Sequence, residues 1–218
     1  MIKYISNISI PLIIAGSSLI VLITLGLNHS NGLYLIPITD KLGNGREVFS
    51  LASALGILFS GLGAPIFGGL SDKYGPGRTI VLLGIFQTLS WLWFSNINSE
   101  FDLFGSKILM GIGASAILGI ALSATGKSVP MQNRSTFLGL IMASGSFGQF
   151  IIVPIMGFIV ENYNWSYSAL ISSFLCLIIL LSAYLISFSN KNQNIDQSSN
   201  QTILESLNEA ISNNSNIV

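Results

Sequence analysis

Residues Ile8–Ile38 read ISIPLIIAGSSLIVLITLGLNHSNGLYLIPI, a run without a single Asp, Glu, Lys or Arg. A helix needs about 20 predominantly apolar residues to cross a hydrocarbon core about 30 Å thick. This run is longer than one upright crossing requires, so a tilted helix, broken near Gly26 or Gly32, is expected. Outward from it, five more runs lack any charged residue: Val48–Leu70, Thr79–Ile97, Ile108–Thr125, Thr136–Val160 and Ser166–Phe188. A helix at the surface of a soluble core keeps a charged face toward water, and these runs have none. The pattern predicts an all-α membrane protein of six transmembrane helices. The first run is too long for a cleavable signal peptide and is followed by five spans, so it is read as a span.

Composition agrees. Of 218 residues, half are apolar and 8% are charged, against about 25% charged in ordinary soluble domains. Nine basic and nine acidic residues cancel, which leaves no clustered basic excess for a nucleic acid. The single cysteine, Cys176, lies in an apolar run and has no partner for an internal disulfide. It reads as a packing or lipid-facing residue. CxxC spacing, HExxH and GxSxG are absent, and the one histidine has no intramembrane carboxylate near it in sequence. The chain therefore reads as neither an enzyme nor a metal or cofactor protein.

With six spans, the loops divide into two sets. Lys3, Lys73, Arg78, Lys127, Arg134 and Lys191 fall on one side, while Lys41 and Arg46 fall on the other together with Asp40, Glu47, Glu100, Asp102 and Glu161. The positive-inside rule puts the first set, and both termini, in the cytoplasm of a cell (inner or plasma) membrane.

The second and fifth spans carry related sequence. Aligned without gaps, Pro65-Ile66-Phe67-Gly68 lies over Pro154-Ile155-Met156-Gly157, Asp72 over Glu161 and Tyr74 over Tyr163. An odd number of spans separates them, so the two segments face opposite sides of the membrane. That is a three-plus-three inverted repeat; the competing reading is coincidence between glycine-rich apolar segments. Residues 1–188 form the bundle. Residues 189–218 read as a cytoplasmic polar linker, with Ile203, Leu204, Leu207, Ala210 and Ile211 at the spacing of a short amphipathic helix.

Between the second and third spans stands Gly68-Gly69-Leu70-Ser71-Asp72-Lys73-Tyr74-Gly75-Pro76-Gly77-Arg78. Gly68 would allow close helix approach, Gly75 a positive φ, and Pro76 a sharp turn into the next helix. Asp72 would accept backbone hydrogen bonds or pair with Lys73 or Arg78. The stretch resembles the signature loop of the major facilitator superfamily, G-x-L-x-D-[RK]-x-G followed by basic residues, with Gly77 at a place that is usually basic. The resemblance implies the amino-terminal half of such a transporter, in which Gly68, Leu70, Asp72, Lys73, Gly75 and Arg78 form a gate with the other half. Leu103, Lys107, Gly111, Gly113 and Ala114 are similar to the family's fourth-span pattern, with Lys107 at an arginine position. Lys107 has two readings: a substrate- or proton-coupling cation, or an anchor that snorkels to the headgroups.

Gly26-Leu27-Asn28-His29-Ser30-Asn31-Gly32 resembles the first span of the monocarboxylate-transporter-like and oxalate/formate-antiporter-like subgroup. Asn28 and Asn31 stand where an R-x-S-F-G pattern has arginine and phenylalanine. Gly145-Ser146-Phe147-Gly148, Pro154 and Asn164-Trp165 are similar to the same subgroup. Asn28 and His29 join Lys107 as candidate coupling residues; His29 alternatively packs or lies at the surface. Trp91, Trp93 and Trp165 read as interfacial anchors.

The resemblance implies secondary transport of a small organic anion, monocarboxylate-like, by alternating access. A proton or an exchanged anion would couple the flux, and a carboxy-terminal six-helix half or a second copy would complete the assembly. The alternative is a non-transporting membrane subunit or the remnant of a transporter.

Overall fold

A computed structural model describes residues 2–190, all of whose regular elements are helical. The helices are α1 (Ile2–Ser30), α2 (Leu35–Leu42), α3 (Arg46–Tyr74), α4 (Pro76–Phe94), α5 (Glu100–Ala114), α6 (Ile117–Ser128), α7 (Arg134–Asn162) and α8 (Trp165–Asn190). They make six rods. The first rod is α1 and α2 joined by a 3-10 turn, Asn31–Tyr34, so it breaks at the Gly32 end of the stretch expected to bend. The fourth rod also breaks, between α5 and α6. There the Ser115 amide bonds the Ile112 carbonyl, three residues back instead of four, and the Ser115 hydroxyl donates to the same oxygen at 2.7 Å. The last 28 residues of the expected linker, with its amphipathic helix, lie outside the described residues.

Five of the rods are long and apolar enough to cross a membrane by length and composition: Ile10–Leu42, Arg46–Tyr74, Glu100–Ser128, Met131–Asn162 and Trp165–Tyr184. The remaining rod, α4, has 19 residues, a length of about 28 Å that matches the hydrocarbon core. It also buries polar side chains, Thr79, Gln87 and Ser90, which lowers its hydropathy. The molecule is a six-helix membrane bundle.

The packing follows the inverted repeat. The first rod lies against the fifth, and the fourth lies against the second; the third meets the fourth as the sixth meets the first. Exchanging each rod with the one three places on leaves this pattern unchanged. α3 and α7, which carry the repeated segments, are each 29 residues long with a proline inside, Pro65 and Pro154.

In lipid, helices associate through close packing and interhelical hydrogen bonds, and small residues let backbones meet. A Cβ on Gly111 would lie 1.9 Å from the Gly56 carbonyl oxygen, and one on Gly148 would lie 2.1 Å from that of Leu22. These glycines set the α3–α5 and α1–α7 crossings. Gly68, expected to allow such an approach, has nothing within 4 Å of the place a Cβ would take. Hydroxyl bonds add to the crossings: Ser144 Oγ donates to the Ser18 carbonyl at 3.0 Å, and Thr125 Oγ1 to Ser17 Oγ at 3.1 Å.

Trp91 does not sit at an interface. It is fully buried with Tyr34 and Phe94, its ring centroid 5.6 Å from each of theirs. Trp93 and Trp165 are half-buried, and the Trp93 indole donates to Asp102 at 3.0 Å. Cys176 is buried in the core, so it packs between helices and does not face lipid.

Candidate functional site

The interior between the first, second and fourth rods holds a cavity of about 310 Å³. Its walls come from the break in the first rod (Asn28, Asn31), from α3 (Ser53, Gly56, Ser60) and from α5 (Lys107, Met110, Gly111). The small residues that bring α3 and α5 together also leave this space beside their crossing. Lys107 is its one charged lining residue.

Lys107 is 3% exposed. Its Nζ donates to Asn31 Oδ1 at 2.7 Å and lies 4.4 Å and 4.8 Å from the ring centroids of Phe49 and Phe94. Ring faces are electron-rich and attract a cation, the more strongly when water is excluded. No carboxylate among the described residues is within ion-pair distance of it. A buried ammonium is expensive unless it is paired and hydrogen-bonded. One neutral amide oxygen and two ring faces meet that demand incompletely, so the site favours an added negative charge.

Asn31 is held from its other end. Its Nδ2 donates to the Asn28 carbonyl at 3.1 Å, across the point where α1 gives way to the 3-10 turn. Asn28 is thus at the cavity wall with Lys107. His29 is exposed, its ring nitrogen 2.9 Å from the Leu25 carbonyl, and it is not part of the cavity lining. Sequence reasoning singled out Lys107 and Asn28 but left Asn31, Phe49 and Phe94 out of the site. For Asn31 a signal existed, an amide where the similar pattern carries an aromatic ring. Nothing in the order of residues marks Phe49 or Phe94.

At the other end of the molecule, the loop from Gly68 to Arg78 turns on Gly75, whose φ of +93° closes α3 and opens α4 with Pro76 as its first residue. An L side chain rarely adopts that conformation, so glycine is required there. Asp72 pairs with neither Lys73 nor Arg78. Its partner is Lys127, at the end of α6, with Nζ 3.4 Å from Oδ1. The contact joins the second and fourth rods, and both side chains are well exposed. Lys73 Nζ lies over its neighbour's ring, Tyr74, at 5.2 Å. Leu70 is half-buried, and Arg78 is exposed.

The family model of the Major Facilitator Superfamily matches residues 16–215. The chain belongs to this superfamily. Among its curated relatives are the oxalate:formate antiporter of Oxalobacter formigenes, 24% identical over 75% of this chain and 39% of that protein, and monocarboxylate transporter 13 of Rattus norvegicus, 26% identical over 70% and 36%. These belong to the subgroup that the first- and fifth-span motifs resemble. Both relatives are transporters and not enzymes. The crystal structure of the POT family transporter PepTSo aligns with a TM-score of 0.68 over 89% of this chain and 39% of that one, at 16% identity. That likeness concerns the fold, which is the superfamily bundle. The chain spans about two-fifths of the length of these relatives, so it is a multi-pass membrane protein matching one part of a superfamily transporter.

Proposed function

We propose that the chain is the amino-terminal half of a secondary transporter that moves a small, monocarboxylate-like organic anion by alternating access. It sits in the cell membrane with both termini cytoplasmic. One observation carries this reading: a cavity near the size of a small molecule whose single charge is the enclosed ammonium of Lys107. An uncharged solute would gain little from such a group, and a cation would be repelled. A carboxylate would complete the pairing that the protein leaves open. Asn28 supplies amide hydrogen bonds beside it, and His29, outside the cavity lining, is the candidate for proton coupling. A proton or an exchanged anion would balance the charge. A carboxy-terminal six-helix half, or a second copy of the chain, would form the opposite wall, and the loop with Asp72 would gate the cytoplasmic side.

The second reading is a non-transporting subunit or remnant of a transporter. Proteoliposomes separate the two. A tandem fusion of two copies should support saturable counterflow of labelled oxalate or formate, lost on Lys107→Gln. Binding without any counterflow from the tandem would leave the subunit reading in its place.

A further inference from the structure

The ammonium of Lys107 has three neighbours besides its own side chain, the two rings of Phe49 and Phe94 and one amide oxygen. The ring centroids lie 4.4 Å and 4.8 Å from Nζ, and Asn31 Oδ1 lies at 2.7 Å. On the cavity side, the hydrogen-bonding position on Nζ that an anion would take is held by Asn31 Oδ1. The two rings are not among the residues that line the cavity, whereas Asn31 is. Asn31 is also the only polar group of the three, and the exchange of one oxygen acceptor for another is the least costly replacement. From this we infer that Asn31 is a built-in stand-in for the anion, whose amide oxygen holds Lys107 until an entering carboxylate displaces it.

The consequence reaches the backbone. The same amide bonds the Asn28 carbonyl at the 3-10 turn of the first rod, so displacement removes a tether between that turn and α5. Asn31 is therefore a positioning residue that links occupancy of the cavity to the bend of the first rod. The inference rests on the anion reading proposed above, and its test separates the two.

Two measurements on the full chain in detergent micelles decide it. The first is reductive methylation with formaldehyde and dimethylamine–borane, with the rate at Lys107 followed by mass spectrometry. The second is the dissociation constant for oxalate. Asn31→Ala should speed methylation of Lys107 and tighten oxalate binding about tenfold, equivalent to about 1.4 kcal/mol. Asn31→Leu, which keeps the volume but removes the acceptor, should act in the same direction if the alanine variant does not fold. A merely structural asparagine would loosen the site and weaken oxalate instead, and that result, or an unchanged methylation rate, overturns the inference. Faster methylation with no oxalate binding in either protein would retain the caging contact but refute both displacement and the anion reading.

Discussion

Lys107 and Asn31 meet across 76 residues of chain, and the pair illustrates what a single side chain does here. Because the ammonium is enclosed without a carboxylate, it does little for the fold. Replacement of a buried charge by an apolar group of similar volume is often neutral or stabilising. Lys107→Met is therefore expected to keep or raise the melting temperature in detergent while losing all stabilisation by oxalate. A drop of several degrees with oxalate stabilisation intact would make the lysine a structural residue. Asp72 lies at the opposite extreme. Its pair with Lys127 is exposed, and such pairs contribute about 0–1 kcal/mol. Asp72→Asn should leave insertion and thermal stability unchanged yet slow counterflow in the tandem fusion, and undiminished counterflow would remove the gate role. Lys107 was legible in the sequence because a cation inside an apolar run stands out. Its partner was not, since local patterning says nothing about which amide, three spans away, comes within 3 Å.

At the scale of elements, the six rods were readable because lipid supplies no hydrogen-bond partners to the backbone, so every crossing must be a long apolar helix. The repeated Pro65 and Pro154 segments likewise foretold two equivalent rods. The facing of each rod was less legible. α4 has large apolar residues on every side, so its sequence does not reveal that Trp91 points to the core instead of the interface. Glycines posed the same difficulty. Gly68 was expected at a helix contact and faces open space, whereas Gly148 presses on the Leu22 carbonyl. Overpacking of a tight contact costs about 1–3 kcal/mol. Gly148→Val should lower the melting temperature markedly, while Gly68→Ala should change it little. Equal stabilities for the two variants would contradict the assigned α1–α7 crossing. The break between α5 and α6 had no proline to announce it; it depends on Ser115 turning both its amide and its hydroxyl to Ile112.

At the scale of the whole molecule, the bundle carries the cavity beside Lys107 and leaves α3 and α7 with broad apolar faces, including Ile57, Leu62, Phe150 and Phe158. A half-transporter would cover part of these faces with its other half and the remainder with lipid. The proposed orientation gives a topology test in a Cys176→Ala background. A membrane-impermeant maleimide should label Glu47→Cys from outside intact cells and Lys73→Cys only after permeabilisation; the reverse pattern would invert the bundle. In the proposed function, the buried ammonium of Lys107 makes this bundle an anion site. Equilibrium binding of radiolabelled oxalate and formate to the chain in nanodiscs tests it most directly. Saturable binding is expected for the native sequence, weakened at least about tenfold, or about 1.4 kcal/mol, by Lys107→Gln. Equal binding by both proteins would contradict the claim.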